Sequence, residues 1–439
     1  MEIIIVLLTI LFEASLVLIR PQYGIVGLII IFCLFQVNLG LNVGIHVNVL
    51  TLSVVVFVLG TFLRRKVAYD THYDRKTNIT IIIYCIYVLM SSLLGSLSSK
   101  YGSDYFRNMI AFIVGFIIVG FIINRMKLDD RDYKFIDYYL FVVIIVIGTY
   151  GIINYITKLN PYIAFIHILT DSTDMSSEFL EEERGFLTGR VSSTFIHPLM
   201  LGQVSLIMFS YCLYVLKNNI YKPLCIIALG LLLLMCFLCG SRSALVPIAV
   251  VIFIYIVYIG KQHLIKYGTI ILVVSLCVYF FLPEKKQKVL QGFFFVWDDS
   301  YAQEANIQGS NLALRIDQFY RGLGVVEDSP LWGFGQGYVS QHGHDHPEMK
   351  GYESYLFQFI VDGGILGVVA FTFFYFRLYF IALRKCKCRF NRYRVHSLCM
   401  SYFISILFTG IQGTFIVYIL FYGLLKQSLF NPVNLQLAK

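Results

Sequence analysis

The sequence predicts an all-α polytopic membrane protein with about 12 transmembrane helices (roughly 11–13) and two large extracytoplasmic loops, the second partly helical. Three observations carry that prediction. Hydrophobic residues make up 58% of the 439 residues and charged residues only 14%, against roughly 25% charged in soluble chains. Apolar runs recur along almost the whole length, so no soluble domain separates at either end. Basic residues gather in alternate loops, the pattern that keeps loops on the cytoplasmic side.

A span needs about 20 mostly apolar residues to cross roughly 30 Å of hydrocarbon. Such runs lie near 3–19, 22–39, 47–63, 78–97, 108–124, 136–156, 199–216, 223–239, 244–260, 268–282 and 356–380. A last stretch, 397–425, is long enough for one tilted helix or two short ones broken around Gly410 and Gly413. The first run carries Glu2 and Glu13 and has neither a basic leader nor a small-residue cleavage site, so it reads as a retained span. The cations sit at Arg20; Arg64, Arg65, Lys66, Arg75 and Lys76; Arg125, Lys127, Arg131 and Lys134; Lys217 and Lys222; Lys261 and Lys266; and Arg384 to Arg394. The intervening loops are richer in acid, with Glu181, Glu182, Glu183, Asp298, Asp299 and Glu304. The net charge of +9 is then mostly a topology signal, and no nucleic-acid partner is expected. The N-terminus comes out extracytoplasmic, and Lys426 favours a C-terminus in the cytoplasm. The spans themselves read as nearly free of charge.

The chain divides into N-terminal membrane helices (1–156), a first large outer loop (157–198), central membrane helices (199–282), a second large outer loop (283–355) and C-terminal membrane helices (356–439). Loops beyond about 15 residues are usually functional or disordered. In the second loop, Leu312, Leu314, Ile316, Phe319, Leu323 and Val326 suggest an amphipathic helix starting near Asn311. Gly333, Gly335 and Gly337 then suggest a tight turn. None of the cysteines falls in an outer loop, so a disulfide framework is not expected. Cys386 and Cys388 lack a partner pair at zinc-site spacing.

Arginines at the outer face are the first chemical candidates. Arg242 sits in Gly240-Ser241-Arg242-Ser243, a short turn between two spans. It could snorkel to the lipid headgroups, or offer a fixed fork to phosphate oxygens. Arg190 stands just before a span. Arg315 and Arg321 lie six residues apart on the loop helix, about 600° of rotation, so they do not strictly share a face. Either Arg315 or Arg321 could equally be a solvated surface charge. Several arginines over one membrane mouth would suit a diphosphate on a lipid carrier.

Acid/base candidates follow. Glu353, in Gly351-Tyr352-Glu353-Ser354, stands at the start of a span, where desolvation would fit it to act as a general base. It could also be an interfacial carboxylate near a helix N-terminus. His344 and His346 belong to His342-Gly343-His344-Asp345-His346, whose glycine and Pro347 point to a loop rather than a metal-binding strand. His197, before Pro198, is either a substrate contact or an interfacial residue. The chain has no Walker A motif, no acidic pair for a metal–diphosphate site in its first outer loops and no convincing internal repeat.

Three segments together resemble a known family. They are Arg190-Val-Ser-Ser-Thr-Phe-Ile-His-Pro-Leu-Met-Leu-Gly202; Gly240-Ser-Arg-Ser-Ala-Leu245; and Ser329-Pro-Leu-Trp-Gly-Phe-Gly-Gln-Gly337 followed by Glu353-Ser-Tyr-Leu-Phe-Gln-Phe-Ile-Val-Asp-Gly-Gly-Ile-Leu-Gly367. Their order and spacing over roughly 185–370 resemble the O-antigen ligase and Wzy-type polysaccharide polymerase superfamily. That resemblance implies a GT-C-like architecture in the bacterial inner membrane, with the site facing the periplasm or exterior. It implies inverting transfer of a glycan from undecaprenyl diphosphate, with no metal, nucleotide sugar or other cofactor. The implied partners are the undecaprenyl-diphosphate-linked oligosaccharide, membrane lipid, a chain-length regulator and a flippase.

Carried over by residue, Arg190, Arg242 and Arg315 would bind diphosphate; Arg321 and His197 are candidate substrate contacts by their own positions, outside that carry-over. Ligases usually place a histidine followed by Asn or Ser where this chain has Tyr352-Glu353-Ser354. A glutamate there is closer to the polymerase side, and it leaves the base open among Glu353, His344 and His346. The expected activity is therefore a polymerase of O-antigen, capsule or exopolysaccharide. A ligase is the nearest alternative, and a flippase for lipid-linked sugars the alternative of another class. Charge-free spans with charge at the outer mouth favour surface chemistry over transport.

Overall fold

Apolar runs fold as helices in hydrocarbon because each backbone amide must find its partner within the segment. The computed structural model describes residues 1–35, 39–42, 46–64, 74–98, 108–170, 176–181, 183–184, 187–216, 221–260, 312–339, 354–409 and 412–429. In chain order the helices are α1 (Glu2–Ile19), α2 (Gly24–Leu34), α3 (Val49–Leu63), α4 (Arg75–Ser98), α5 (Asn108–Arg125), α6 (Asp130–Thr157), α7 (Pro161–Thr170) and α8 (Ser176–Glu181). Then come α9 (Pro198–Val215), α10 (Lys222–Leu238), α11 (Arg242–Ile259), α12 (Leu312–Val325), α13 (Tyr355–Lys385), α14 (Arg389–Phe408) and α15 (Phe415–Ser428). Two short antiparallel hairpins pair Gly40–Asn42 with His46–Asn48 and Glu183–Arg184 with Leu187–Thr188. Among the described residues, seven helices are long and apolar enough to cross a membrane, and five are shorter apolar helices. The protein is an all-α polytopic membrane protein.

Polar contacts gather the basic loops at one end of the bundle. Arg20 binds Asp129 (2.6 Å) and Asp132 (2.7 Å), and Arg64 donates to the Ile19 carbonyl (3.2 Å). Asp74 binds Lys385 (2.8 Å) and Lys426 (2.9 Å). Arg389 donates to the Val257 carbonyl (3.0 Å). These contacts bring together the ends of α1, α3, α11, α13 and α15 and the starts of α4, α6 and α14. Lys426 thus returns the last helix to the basic end. The 397–425 stretch resolves into two helices, α14 and α15, separated by extended Thr409 and a 3-10 turn at Gln412–Thr414. Ile259 lies at the basic end and Tyr355 at the opposite one. The span expected near 268–282 falls between them, outside the described residues.

Two expectations need correction. The run at 22–39 was expected to cross as one span, but its helix stops at Leu34, with Phe35 already extended. Helix α2 is buried along nearly all its length, so protein rather than lipid sets its length. The expectation of nearly charge-free spans also fails. Glu13, Asp137 and Asp362 lie inside expected spans and are buried, and buried Arg394 and Lys426 lie in α14 and α15, just outside the 397–425 stretch. A hydropathy average absorbs one charge among many apolar residues. Several of these charges are answered by protein contacts: Tyr211 donates to Asp137 (3.0 Å) and Lys426 pairs with Asp74.

The centre is aromatic. Tyr402 stacks on Tyr418 at 4.4 Å, and both lie near Tyr375 and Phe415. Helix α13 is broken inside this setting: Gly364 has φ 65° and ψ −166°. The segment before it in the second loop fills the break. Phe334 and Gly335 amides donate to the carbonyls of Val361 (3.0 Å) and Asp362 (2.8 Å). Ile365 and Leu366 amides donate to those of Pro330 (2.9 Å) and Leu331 (3.2 Å). Tyr87 and Ser91 of α4 seal it, donating to the Gly363 (2.9 Å) and Trp332 (3.0 Å) carbonyls. The expected glycine turn is present, with positive φ at Gly333, Gly335 and Gly337.

A Cβ on Gly333 would stand 2.5 Å from both the Gly364 nitrogen and the Val361 oxygen, and its φ is +65°. Gly333→Ala should therefore cost at least about 2 kcal/mol through left-handed strain and overpacking. The expected readout is a lower unfolding midpoint of the purified protein; an unchanged midpoint would refute the docked-loop account. Asp74 gives a second prediction. Burial alone would raise its carboxyl, but Lys426, with hydrogen bonds from Lys385 and Thr77, holds it below the usual carboxylate range. A depressed folded pKa stabilises fully above the unfolded value of about 3.9 and is lost only as pH falls further. Asp74→Asn should cost about 3 kcal/mol at pH 7, because two cations lose their buried partner. The wild-type margin over this variant should shrink below about pH 4; a margin independent of pH would contradict the ion pair.

Candidate functional site

At the end opposite the basic loops, the chain from Gly189 to Pro198 crosses the mouth of the bundle. Its hydroxyl-rich sequence is fixed by buried hydrogen bonds. The Val191 amide donates to the Leu238 carbonyl (3.0 Å). The Ser193 hydroxyl donates to the Ile147 carbonyl (2.7 Å), and the Thr194 hydroxyl to that of Cys33 (2.6 Å). Asn160 crosslinks the same strip, its Nδ2 donating to the Ser193 carbonyl (2.8 Å) and the Ser192 hydroxyl (3.2 Å). One short segment is thus tied to α2, α6 and α10, which is why serine and threonine stand at positions buried from water.

Arg190 is placed by this tether. It is 2% exposed. Its Nε donates to the Cys239 carbonyl (3.1 Å), and its guanidinium carbon lies 5.9 Å from the Phe179 ring centroid. The Cys239 carbonyl belongs to the turn that carries Arg242, three residues on. That turn bends at Gly240, with φ +62°, and Ser241 and Ser243 share a 2.6 Å hydrogen bond. Arg242 is the first residue of α11 and half-buried. A cation there opposes the positive end of the helix dipole, so its placement favours an anion in front of it. His197 caps α9, its Nδ1 accepting from the Leu199 amide (3.0 Å), and its ring lies 4.7 Å from Phe179. Phe179 therefore contacts both Arg190 and His197. The sequence-predicted Arg190, Arg242 and His197 share one mouth, with the N-termini of α9 and α11 beside them.

The other candidates are placed differently. Arg321 is exposed and pairs with Asp317 at 2.7 Å on the outside of α12. That helix docks through Phe319, whose ring lies 5.6 Å from Phe357. Arg315 is also on α12, but its side chain lies outside the described residues. Glu353, His344 and His346 fall in 340–353, outside the described residues. The flanks of that segment are fixed. The Val339 amide donates to Asp362 (3.0 Å), and the Tyr355 amide to the Thr409 carbonyl (3.2 Å).

Sequence reasoning missed Asp362, Asn160 and Phe179. Asp362 is 1% exposed, and its two oxygens accept from the Gly337 (2.9 Å) and Val339 (3.0 Å) amides. An acid inside a predicted span is itself a signal, because an intramembrane charge is costly unless it is used. Asn160 and Phe179 carry no such signal in an isolated sequence. Asp362→Ala should leave two buried amides without their acceptor, at about 1–3 kcal/mol each. The expected result is faster proteolytic cutting near residues 337–339 in the purified variant. Unchanged cutting would show that Asp362 does not hold the loop.

Among curated proteins, none matches the chain significantly. A family profile does match part of it, and it spans the Arg242 turn, the docked glycine loop and the break in α13. Residues 227–372 match the family described as O-antigen ligase, and this supports placing the segment in the O-antigen ligase and polymerase superfamily of glycosyltransferase-like enzymes.

Proposed function

We propose that the protein is a polysaccharide polymerase of the bacterial inner membrane, acting at its extracytoplasmic face. It would transfer a growing glycan from undecaprenyl diphosphate to a lipid-linked repeat unit, with inversion at the transferred sugar. The observation that carries this reading is the shared mouth of Arg190 and Arg242, set beside two helix N-termini. Helix N-termini and guanidinium groups both favour phosphate oxygens. The orientation rests on the basic loops collected at the other end, which the positive-inside rule assigns to the cytoplasm.

In this reading a base removes the proton from an acceptor hydroxyl, and the oxygen attacks the anomeric carbon of the donor sugar. The bond to the carrier breaks, and undecaprenyl diphosphate leaves with its electron pair. Negative charge grows on the leaving phosphate, and preorganised donors stabilise it more in the transition state than in the ground state. Arg242 is the strongest candidate for that role, because it is half-buried at the mouth. Arg190 would help to hold the diphosphate, with its Nε already fixed by the Cys239 carbonyl. Glu353, His344 and His346 are the candidate bases. Arg315, Arg321 and His197 are candidate substrate contacts, and a chain-length regulator and a flippase are the expected protein partners.

The second reading is a ligase that moves the finished glycan to a lipid or protein acceptor. The family description favours it, whereas Glu353 at the expected histidine position favours polymerisation. A deletion strain separates the two. Loss of a polymerase leaves single repeat units on the final acceptor; loss of a ligase leaves long chains on carrier lipid. Stranded repeat units facing the cytoplasm would overturn both in favour of a flippase. Purified protein given a lipid-linked repeat unit, without ATP or added metal, should yield a ladder of chain lengths. No product from a competent substrate would refute the polymerase. Arg242→Lys should lower turnover by ~10²-fold or more while the protein stays folded in the membrane, and Glu353→Gln should do the same if it is the base.

A further inference from the structure

A second cationic feature lies at the opposite end of the bundle from the Arg190–Arg242 mouth. Helices α4 and α13 leave a groove of about 710 Å³ between them. Its apolar wall includes Val369, Phe373 and Phe380 of α13, each more than half exposed on the outside of the bundle. Its basic wall is Lys76, Arg377 and Arg384, and all three are exposed. Residues 369, 373, 377, 380 and 384 recur every three or four positions, so they form one stripe along the helix. The stripe runs from apolar to basic toward the end where Asp74, Lys385 and Lys426 meet.

Among the described residues, none of the three cations forms an ion pair with an acid. Among the described residues, Asp74 is the carboxylate close to the groove in sequence, and it is already held by Lys385, Lys426 and Thr77. Arg377 donates through Nε to the Thr80 hydroxyl (2.9 Å), and its guanidinium carbon lies 5.6 Å from the Phe373 ring centroid. That arginine lies about 12 Å inside the end of α13, at the helical rise per residue. A cation on a lipid-facing stripe is costly where it enters hydrocarbon unless it is paired or solvated. The apolar wall is chemically matched to an acyl chain, and the three cations are matched to a phosphate.

We propose that this groove binds an anionic phospholipid. One acyl chain lies along Val369, Phe373 and Phe380, and the phosphate lies among Lys76, Arg377 and Arg384. Each cation near a lipid phosphate adds to the attraction. The site is separate from the proposed donor site and does not depend on the proposed activity.

The test uses the full-length protein, purified and stripped of lipid in a neutral detergent. Phosphatidylglycerol and phosphatidylcholine of identical acyl chains are titrated, and bound lipid is counted by native mass spectrometry. The wild type should bind phosphatidylglycerol the more tightly and gain in unfolding midpoint. Lys76→Gln combined with Arg384→Gln should weaken phosphatidylglycerol binding by roughly tenfold or more. Lys76→Arg combined with Arg384→Lys should keep it, which controls for misfolding. Equal binding of the two lipids by the wild type, or undiminished phosphatidylglycerol binding by the glutamine pair, would overturn the proposal. So would inorganic phosphate raising the midpoint as much as the lipid, because the acyl chain would then contribute nothing.

Discussion

A broken membrane helix must have its backbone groups satisfied by protein, because hydrocarbon offers them no partner. The break at Gly364 in α13 is the point on which the outer half of this structure depends. It exposes the carbonyls of Val361 and Asp362 and the amides of Ile365 and Leu366. Residues 330–335 pair with all four. The Asp362 carboxylate then takes the amides of Gly337 and Val339. One helix defect thus anchors the second outer loop. Helix α12 is held in turn, because Phe319 and Leu323 pack on the cluster that includes Phe334, Ile360 and Val361.

This anchoring bears directly on chemistry. The three candidate bases lie between Val339 and Ser354, and both flanks are tied to the bundle. The arginine mouth is built by different means, from a strip tied to α2 and α6 by its hydroxyls and to α10 by the Val191 amide. Both devices use the same physics: polar groups in an apolar surround are specified by the few partners within reach. A site assembled this way is held by hydrogen bonds to rigid helices instead of by loop packing alone. Rigid placement is what electrostatic stabilisation of a leaving diphosphate requires.

Much of the fold was legible in the sequence because hydropathy reports length and lipid exposure together. It misjudged 22–39, where α2 is shielded by protein and the run no longer measures the bilayer. It also passed over Asp137 and Asp362, since one acidic residue barely moves an average over a span. The glycine turn at 333–337 was readable from its spacing, but the helix break it fills was not. That break needs two segments about thirty residues apart to be seen together. In the candidate site, Arg190, His197 and Arg242 were legible as residues that are expensive at a membrane edge. Their common neighbour Phe179 was not, because an aromatic residue in a loop has no distinguishing pattern.

The central claim is that Arg190 and Arg242 form a receptor for a lipid-linked diphosphate. The most direct measurement is the affinity of purified wild type and Arg242→Lys for undecaprenyl diphosphate and for undecaprenyl monophosphate. The account predicts that wild type prefers the diphosphate and that Arg242→Lys loses most of that preference with its fold intact, since ammonium cannot replace a bidentate fork. Equal affinity of wild type for the two lipids, or an unaltered preference in the variant, would contradict it.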